Sequence, residues 1–140
     1  MAMTREDDLA QRLVTVPGIG AINATALVAA VGDASAFAKG RDLAAWLGLT
    51  PRQHSTGGKT KMLGISKRGN RYLRTQLIHG ARAAMRHFVE KQTAMGVWLR
   101  NLLARAHPNV VVVALAAKLA RVAWAILRRG DVYQSQEASI

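Results

Sequence analysis

The sequence predicts an all-α protein in which a helix-hairpin-helix is followed by a basic, glycine-rich loop and a bundle of longer helices. The chain has 140 residues, 50% of them hydrophobic, which is enough for one domain with a buried core. Apolar residues recur at helical spacing along most of the chain, and glycine and proline separate these segments. We therefore expect a single domain over residues 1–130 and a flexible tail over residues 131–140.

The first helix is predicted to begin at Thr4, because its hydroxyl can cap a helix and Asp7 then lies near the positive helix end. Leu9 and Leu13 follow on one face. Pro17 ends this helix, since proline lacks an amide donor and disfavours helix in the residue before it.

The next two helices are predicted to be short. Residues 21–31 form the first of them, packed through small side chains, and residues 41–48 form the second. The turn between them offers Asp33 or Ser35 as a cap. Gly48 suits the left-handed residue that ends many helices.

Residues 49–69 interrupt the helical pattern with one proline and several glycines, which predicts a long loop of the kind that often carries function. Asn70 is expected to cap the helix that follows. Three further helices are predicted, at residues 72–92, 94–106 and 109–129. Gly130 should end the last one. The tryptophans lie on apolar faces and are expected in the core: Trp46, Trp98 and Trp124.

The longest apolar run covers residues 110–127, and Lys118 and Arg121 interrupt it. A membrane span needs about 20 consecutive apolar residues, so we interpret the run as a buried core helix and expect no membrane association. The chain has no cysteine, which excludes a disulfide framework and a thiolate zinc site. The four histidines do not have the spacing of a helical metal pair, so we expect no metal site.

The charge of the chain points to a polyanionic partner. The formal net charge is +12, and no acidic residue occurs between Asp42 and Glu90. Such a basic block around a loop rich in glycine and hydroxyl groups is typical of a surface that binds a phosphate backbone. The basic residues of this segment are Arg52, Lys59, Lys61, Lys67, Arg68, Arg71, Arg74, Arg82 and Arg86.

The stretch VPGIGAINA has the form of a hairpin between two helices, near residues 13–31. Gly18 and Gly20 would let the backbone turn sharply and approach a phosphate, to which the amides of the second helix then point. Ala24 is small enough for the two helices to pack closely. The alternative is a plain turn between helices, with glycine at a left-handed position.

The stretch HSTGGKTK within the loop suggests phosphate chemistry, but it does not fit a nucleotide-binding loop. That motif requires a glycine five residues before Gly58, where this sequence has Gln53, and a preceding strand. Nor can a Ser-His-Asp triad be argued, because the block supplies no carboxylate. The residue types alone do not decide between two interpretations: a solvated loop, and a loop that presents a hydroxyl group to a phosphodiester.

Several motifs, taken in order, resemble one family over about residues 13–130: PGIG, AAWLGLTP, the S-[ST]-G-G-K loop and ISKRGNRYLR. Together they are similar to the C-terminal domain of IS110-type insertion-sequence transposases, the IS116/IS110/IS902 group. The resemblance implies DNA transposition or recombination, with a serine nucleophile in the loop that joins covalently to DNA. It also implies a RuvC-like DEDD domain that holds Mg²⁺ and, in studied members, a structured guide RNA.

The resemblance assigns the nucleophile to Ser55, with Thr56 as the alternative because it stands directly before the glycine pair. It assigns contacts with DNA or RNA phosphates to Lys59, Lys61, Lys67, Arg68, Arg71 and Arg74. Gly69 and Asn70 would set the turn into the next helix.

The sequence has no segment that matches a DEDD domain, so we expect a fragment that needs no cofactor of its own and is inactive alone. We expect it to form a homo-oligomer or to act with a DEDD-domain partner, in the bacterial cytoplasm near the nucleoid. Two alternatives remain: a helix-hairpin-helix module that binds nucleic acid without catalysis, and a structural protein with a basic surface.

Overall fold

The computed structural model describes residues 4–50 and 67–134, with side chains from residue 71 onward in the second range. Within these ranges the chain forms helices and no β-sheet, as predicted. The helices are α1 (Arg5–Val14), α2 (Ala21–Val31), α3 (Gly40–Trp46), α4 (Lys67–Val89), α5 (Ala94–Leu103) and α6 (Pro108–Arg129). Most of their boundaries lie within a few residues of the predicted ones.

Helix α6 forms the centre of the fold. It packs against α1, α3, α4 and α5, while α2 packs against α1 and α4. Leu115 and Leu119 are fully buried on it. Among the described residues α6 is also the one helix long and apolar enough to cross a membrane, but 56% of its apolar window is buried inside the protein. The interpretation of residues 110–127 as a core helix is therefore confirmed.

Helix α1 begins as the sequence predicts. The Thr4 hydroxyl accepts a hydrogen bond from the amide of Asp7 at 3.0 Å, and the Asp7 carboxylate accepts one from the amide of Thr4 at 3.4 Å. This reciprocal pair satisfies two of the amides that a helix start leaves without partners. Leu9 and Leu13 are buried below it.

The cap predicted for α3 is wrong. Asp33 accepts a hydrogen bond from the Ser35 amide inside the turn, whereas the residue that caps α3 is Lys39. The amide of Lys39 donates to the Asp42 carboxylate at 3.2 Å, so the first turn of α3 supplies its own acceptor. The Asp33 carboxylate also pairs with Arg5 and Arg128, so it is engaged away from this helix start.

Two of the three tryptophans contact Phe37 in the turn before α3, and only Trp46 is fully in the core, at 7% exposure. The ring of Trp46 lies 5.6 Å from that of Phe37. The indole of Trp124 donates to the Phe37 carbonyl at 2.9 Å. Trp98 and Trp124 are partly buried against the core, as Phe37 is.

The predicted start of α4 is also wrong. The helix begins at Lys67, so Gly69 and Asn70 lie within its first turn instead of forming the turn before it. Glycine and asparagine are weak helix formers, but a helix is stabilised mainly by the packing of its apolar face. In α4 that face carries the buried residues Leu73, Leu77, Ala81, Ala84 and Phe88.

The last described residues are held against the core. Gly130 has the predicted left-handed conformation, with φ of 74°, and its carbonyl accepts a hydrogen bond from Arg12. The amide of Tyr133 donates to the Thr15 hydroxyl at 2.8 Å, and its ring meets Phe88 edge-on. The predicted tail therefore begins with a segment that contacts α1 and α4.

Candidate nucleic-acid interface

The turn between α1 and α2, called the hairpin below, comprises residues 15–20. Val16 and Ile19 are buried, which fixes the hairpin on the core. Gly18 has a φ of 100°, a backbone conformation that residues other than glycine rarely adopt. The sequence pattern of two apolar residues alternating with two glycines thus produces a sharp, anchored turn.

The hairpin is pressed directly against α4. A Cβ atom built on Gly80 of α4 would lie 1.9 Å from the carbonyl oxygen of Gly18. A Cβ on Gly18 would in turn lie 3.0 Å from a methyl group of Leu119 and 3.1 Å from the carbonyl oxygen of Gly80. The two glycines therefore let two backbones touch, and this contact sets where the start of α2 lies relative to α4.

The start of α2 is open. Gly20 is the residue before the helix, with extended φ and ψ of −84° and 178°, and no side chain caps the helix. A Cβ atom at Gly20 would have nothing within 4 Å. The first amides of a helix have no partners inside the helix, and they carry its partial positive charge. Within residues 4–50 and 67–134, the first amides of α2 thus face a surface that no other part of the chain covers.

A cavity of about 480 Å³ adjoins this helix start. Its lining is shared between two elements: Gly18 and Gly20–Asn23 from the hairpin and α2, and Gln76, His79 and Gly80 from α4. Gln76 is partly buried and His79 is exposed. No carboxylate is among these lining residues, and most of the lining surface is apolar.

Asn23 is an unusual member of this lining. Its side chain is 5% exposed, and neither its Nδ2 nor its Oδ1 atom has a hydrogen-bond partner in the described part of the chain. A buried polar group left without a partner costs about 1–3 kcal/mol. Most buried polar groups in proteins are paired. An orphaned amide at a helix start therefore marks a place where a further hydrogen-bonding group would be stabilising.

Helix α4 also carries exposed cations: Arg71, Arg82 and Arg86. The ion pairs found in residues 4–50 and 67–134 all join α1 or α6 to Asp8 or Asp33. Within those ranges Arg71, Arg82 and Arg86 are thus not paired with carboxylates. An exposed, unpaired basic helix face is suited to contacts with phosphates.

Arg74 has a different surrounding. It is partly buried, and its Nη1 atom lies 2.8 Å from the position of a Cβ atom on Gly48. Gly48 follows α3 in a left-handed conformation, as predicted, with φ of 74°. The guanidinium therefore lies at the negative end of α3, where a cation is stabilised by the helix dipole. Arg74 thus packs α4 against the end of α3.

Another cavity, of about 700 Å³, lies where the described chain reaches Thr50. Lys118 lines it and is placed over the ring of Trp98, 4.5 Å from the ring centre. Burial, and secondarily the nearby charge of Arg121, lowers the pKa of Lys118 below its ordinary value of 10.5. This cavity is mainly apolar, with valines of α6 in its wall.

The predicted site residues divide into two groups. Ser55, Thr56, Lys59 and Lys61 lie outside the described residues, and Lys67 and Arg68 are in the first turn of α4. Gly18, Gly20, Arg71 and Arg74 are described. Of these, Gly18 and Gly20 line the cavity between α2 and α4, whereas Arg74 lies against the end of α3.

Sequence reasoning missed Asn23, Gln76 and Gly80. Gly80 had a usable signal, since it adjoins the apolar positions of α4 and a small residue there indicates close packing. Tyr72, in the first part of α4, is 47% exposed. Across residues 4–50 and 67–134 no three potential metal-ligating side chains come together.

The sequence model of the transposase IS116/IS110/IS902 family matches residues 10–95. The matched segment includes the hairpin, the stretch with Ser55 and Thr56, and all of α4. The chain belongs to this family. The hairpin, the cavity between α2 and α4, and the exposed arginines of α4 all lie within the segment that the family model matches.

Individual relatives agree with this assignment. A probable family 20 transposase of Pseudomonas aeruginosa is 55% identical, over 95% of this chain and 39% of its own length. The transposase for insertion sequence element IS1111A of Coxiella burnetii is 46% identical, over 95% of this chain and 36% of its own length. A pilin gene-inverting protein of Moraxella bovis is 29% identical, over 91% of this chain and 39% of its own length. The chain thus spans well under half the length of these relatives.

Proposed function

We propose that this chain supplies the DNA-binding and strand-transfer part of an insertion-sequence transposase. The family match over residues 10–95 carries this proposal, because it spans both the hairpin and the stretch with the two hydroxyl residues. The exposed arginines of α4 support DNA as the ligand, since they are not neutralised by carboxylates within the described ranges. A DEDD-domain partner, a second copy of the chain and a structured guide RNA belong to the same proposal.

In the proposed reaction Ser55 is the nucleophile, and Thr56 is the alternative. The hydroxyl oxygen forms a bond to the phosphorus of a DNA phosphodiester, and the bond from phosphorus to the leaving deoxyribose oxygen breaks. The hydroxyl proton leaves to a base or to water, and the deoxyribose oxygen takes up a proton. Positioned cations stabilise the extra negative charge of the transition state. Mg²⁺ on a DEDD domain would add such stabilisation.

A covalent adduct tests this proposal. The chain is mixed with the DEDD domain of a full-length relative and a suicide DNA substrate whose cleaved end cannot be rejoined. We expect a protein–DNA adduct on a denaturing gel that is lost in Ser55→Ala and retained in Thr56→Ala. The matched control is Thr75→Ala, which removes a hydroxyl from the exposed face of α4 and should leave the adduct intact.

The other outcomes decide between the alternatives. Loss of the adduct in Thr56→Ala alone would make Thr56 the nucleophile. No adduct in the parent chain, with DNA binding that weakens steeply with salt, would overturn the strand-transfer role and favour a binding module. The open start of α2 is the observation that favours such a module as the second candidate. No binding to DNA or RNA at all would overturn both and favour a structural protein.

A further inference from the structure

We propose that the exposed face of α4 binds unpaired nucleotides, with Tyr72 as the ring on which one base stacks. The inference rests on the proposed function, because it takes a polynucleotide as the ligand. It deepens that function by distinguishing an unpaired strand from a duplex. The face is called the polar face of α4 below and consists of Arg71, Tyr72, His79, Arg82 and Arg86, all of them exposed.

The first support is the geometry of α4. Each residue turns an α-helix by about 100° and advances it by about 1.5 Å. The five residues of the polar face therefore fall within an arc of about 100°, and the face extends for about 22 Å from Arg71 to Arg86. The buried residues of α4, Leu73 and Phe88 among them, lie on the opposite side of the helix.

The second support is the charge of the polar face. In residues 4–50 and 67–134 no ion pair and no ring contact involves any of its five residues. The sequence of α4 contains no acidic residue. A row of uncompensated cations along one helix face attracts a polyanion.

The third support is Tyr72, which a surface for phosphates alone would not require. Its side chain is 47% exposed beside Arg71, whereas the other tyrosine, Tyr133, packs edge-on against Phe88. An unpaired base can stack on an aromatic ring, but the bases of a duplex are already stacked on one another. His79 offers a second planar ring two turns farther along the face, at about 10 Å.

A protein partner fits this face less well. The core of a protein interface is mainly apolar, whereas none of the five residues of the polar face is aliphatic. The combination of cations and an exposed ring is instead that of single-strand binding surfaces.

Fluorescence anisotropy tests the stacking role of Tyr72. The probes are oligodeoxythymidine and oligouridine of about 12 nucleotides, within the range that single-strand sites occupy, and a DNA duplex of equal length. We expect Tyr72→Leu to weaken binding of an unpaired strand about tenfold and to leave duplex binding unchanged. Tyr72→Phe keeps the ring and should bind as the parent chain does. Equal losses on strand and duplex, or an equal loss in Tyr72→Phe, would contradict stacking.

The two unpaired probes also identify the strand. Tighter binding of oligodeoxythymidine would assign the polar face to DNA, and tighter binding of oligouridine would assign it to RNA, and either result keeps the site. A preference of the parent chain for the duplex would overturn it.

A strand without bases separates stacking from charge. The parent chain should bind an abasic oligonucleotide of the same length about tenfold more weakly than oligodeoxythymidine. Tyr72→Leu should lose little more on the abasic strand, because its stacking partner is already absent. Fully additive losses would show that Tyr72 does not contact a base.

NMR of the chain with labelled tyrosine rings locates the contact. Oligodeoxythymidine should shift the ring signals of Tyr72 and leave those of Tyr133, the internal control, unchanged. Binding of the strand without a shift at Tyr72 would exclude this ring as the stacking surface.

The arginines of the polar face have a separate test. Arg86→Gln should reduce the slope of log K against log salt concentration for the single strand by about 0.7, the contribution of one phosphate contact. The matched control is Arg41→Gln, an exposed arginine at the start of α3. Equal slopes in the two variants would exclude Arg86 from the site.

The outcomes separate this site from the proposed function. A retained covalent adduct without any effect of Tyr72→Leu on single strands would overturn the site and keep the function. A Tyr72-dependent preference for unpaired strands without an adduct would keep the site and remove the strand-transfer role. If no nucleic acid binds and Tyr72→Leu changes the oligomeric state in sedimentation, the polar face is a protein interface and the site is overturned.

Discussion

Replacing Gly80 by alanine tests whether the contact between the hairpin and α4 determines the stability of this fold. The two possible effects have opposite signs. Alanine is the better helix former by about 1 kcal/mol, so local propensity predicts a more stable α4. The tertiary contact predicts the reverse, because the new Cβ atom would lie 1.9 Å from the carbonyl oxygen of Gly18.

The size of the effect follows from that distance. Real Cβ atoms essentially never approach closer than 3.0 Å, so the hairpin must withdraw from α4 by about 1 Å. Leu119 and Ala84, which lie next to Gly18, then lose part of their packing. Overpacking costs about 1–3 kcal/mol and more when backbone must move, which outweighs the gain in propensity. We expect a net loss of about 2 kcal/mol, or about 8 °C in Tm for a domain of this size.

Urea and thermal unfolding, followed by circular dichroism at 222 nm, measure this difference. The control is Ala83→Gly, an exposed position on the same helix, which isolates intrinsic propensity and should lose about 1 kcal/mol. A rise in Tm for Gly80→Ala that mirrors the loss in Ala83→Gly would show that the hairpin does not press on α4, and the reasoning would be refuted.

The remaining predictions concern the start of α1 and the turn before α3. Thr4→Ala should lower the free energy of unfolding by about 1 kcal/mol, because it removes the hydroxyl acceptor of the Asp7 amide. Thr4→Ser should retain it in urea titrations, and equal losses would contradict the cap. Hydrogen bonds from Ser35, and secondarily the charges of Arg128 and Arg5, lower the pKa of Asp33 below its ordinary value of 3.8. The resulting stability is present above that value and lost as pH falls through the folded-state pKa. In Asp33→Asn the free energy of unfolding, measured by urea titration, should therefore fall less steeply at acidic pH. An unchanged pH dependence would refute the stabilising role of the Asp33 carboxylate.

Local structure was largely predictable, because the signals for it lie within a few neighbouring residues. Thr4 caps α1 and Gly48 and Gly130 end helices in left-handed conformations, as their residue types indicate. Helix starts that depend on packing were not predictable. Residues 67–70 join α4 even though glycine and asparagine favour a turn, because propensity is a weak preference that tertiary context overrides.

The candidate site was predictable only on the side of the hairpin. The order of apolar residues and glycines indicated a turn with free amides, and among the described residues no side chain caps the start of α2. Nothing in the sequence near residue 76 indicated that Gln76 or His79 faces the same cavity. That placement depends on how α4 crosses the hairpin, which no local pattern encodes.

The sequence by itself determined the helical class, the excess of positive charge and the membership of a transposase family, because periodicity, composition and ordered motifs are properties of the chain alone. The tertiary structure decided that Gly18 meets Gly80, that the buried Asn23 side chain has no partner among the described residues, and that two helices line one cavity. The physical reason is that these features arise from contacts between residues far apart in the chain, and close packing alone selects which of them meet.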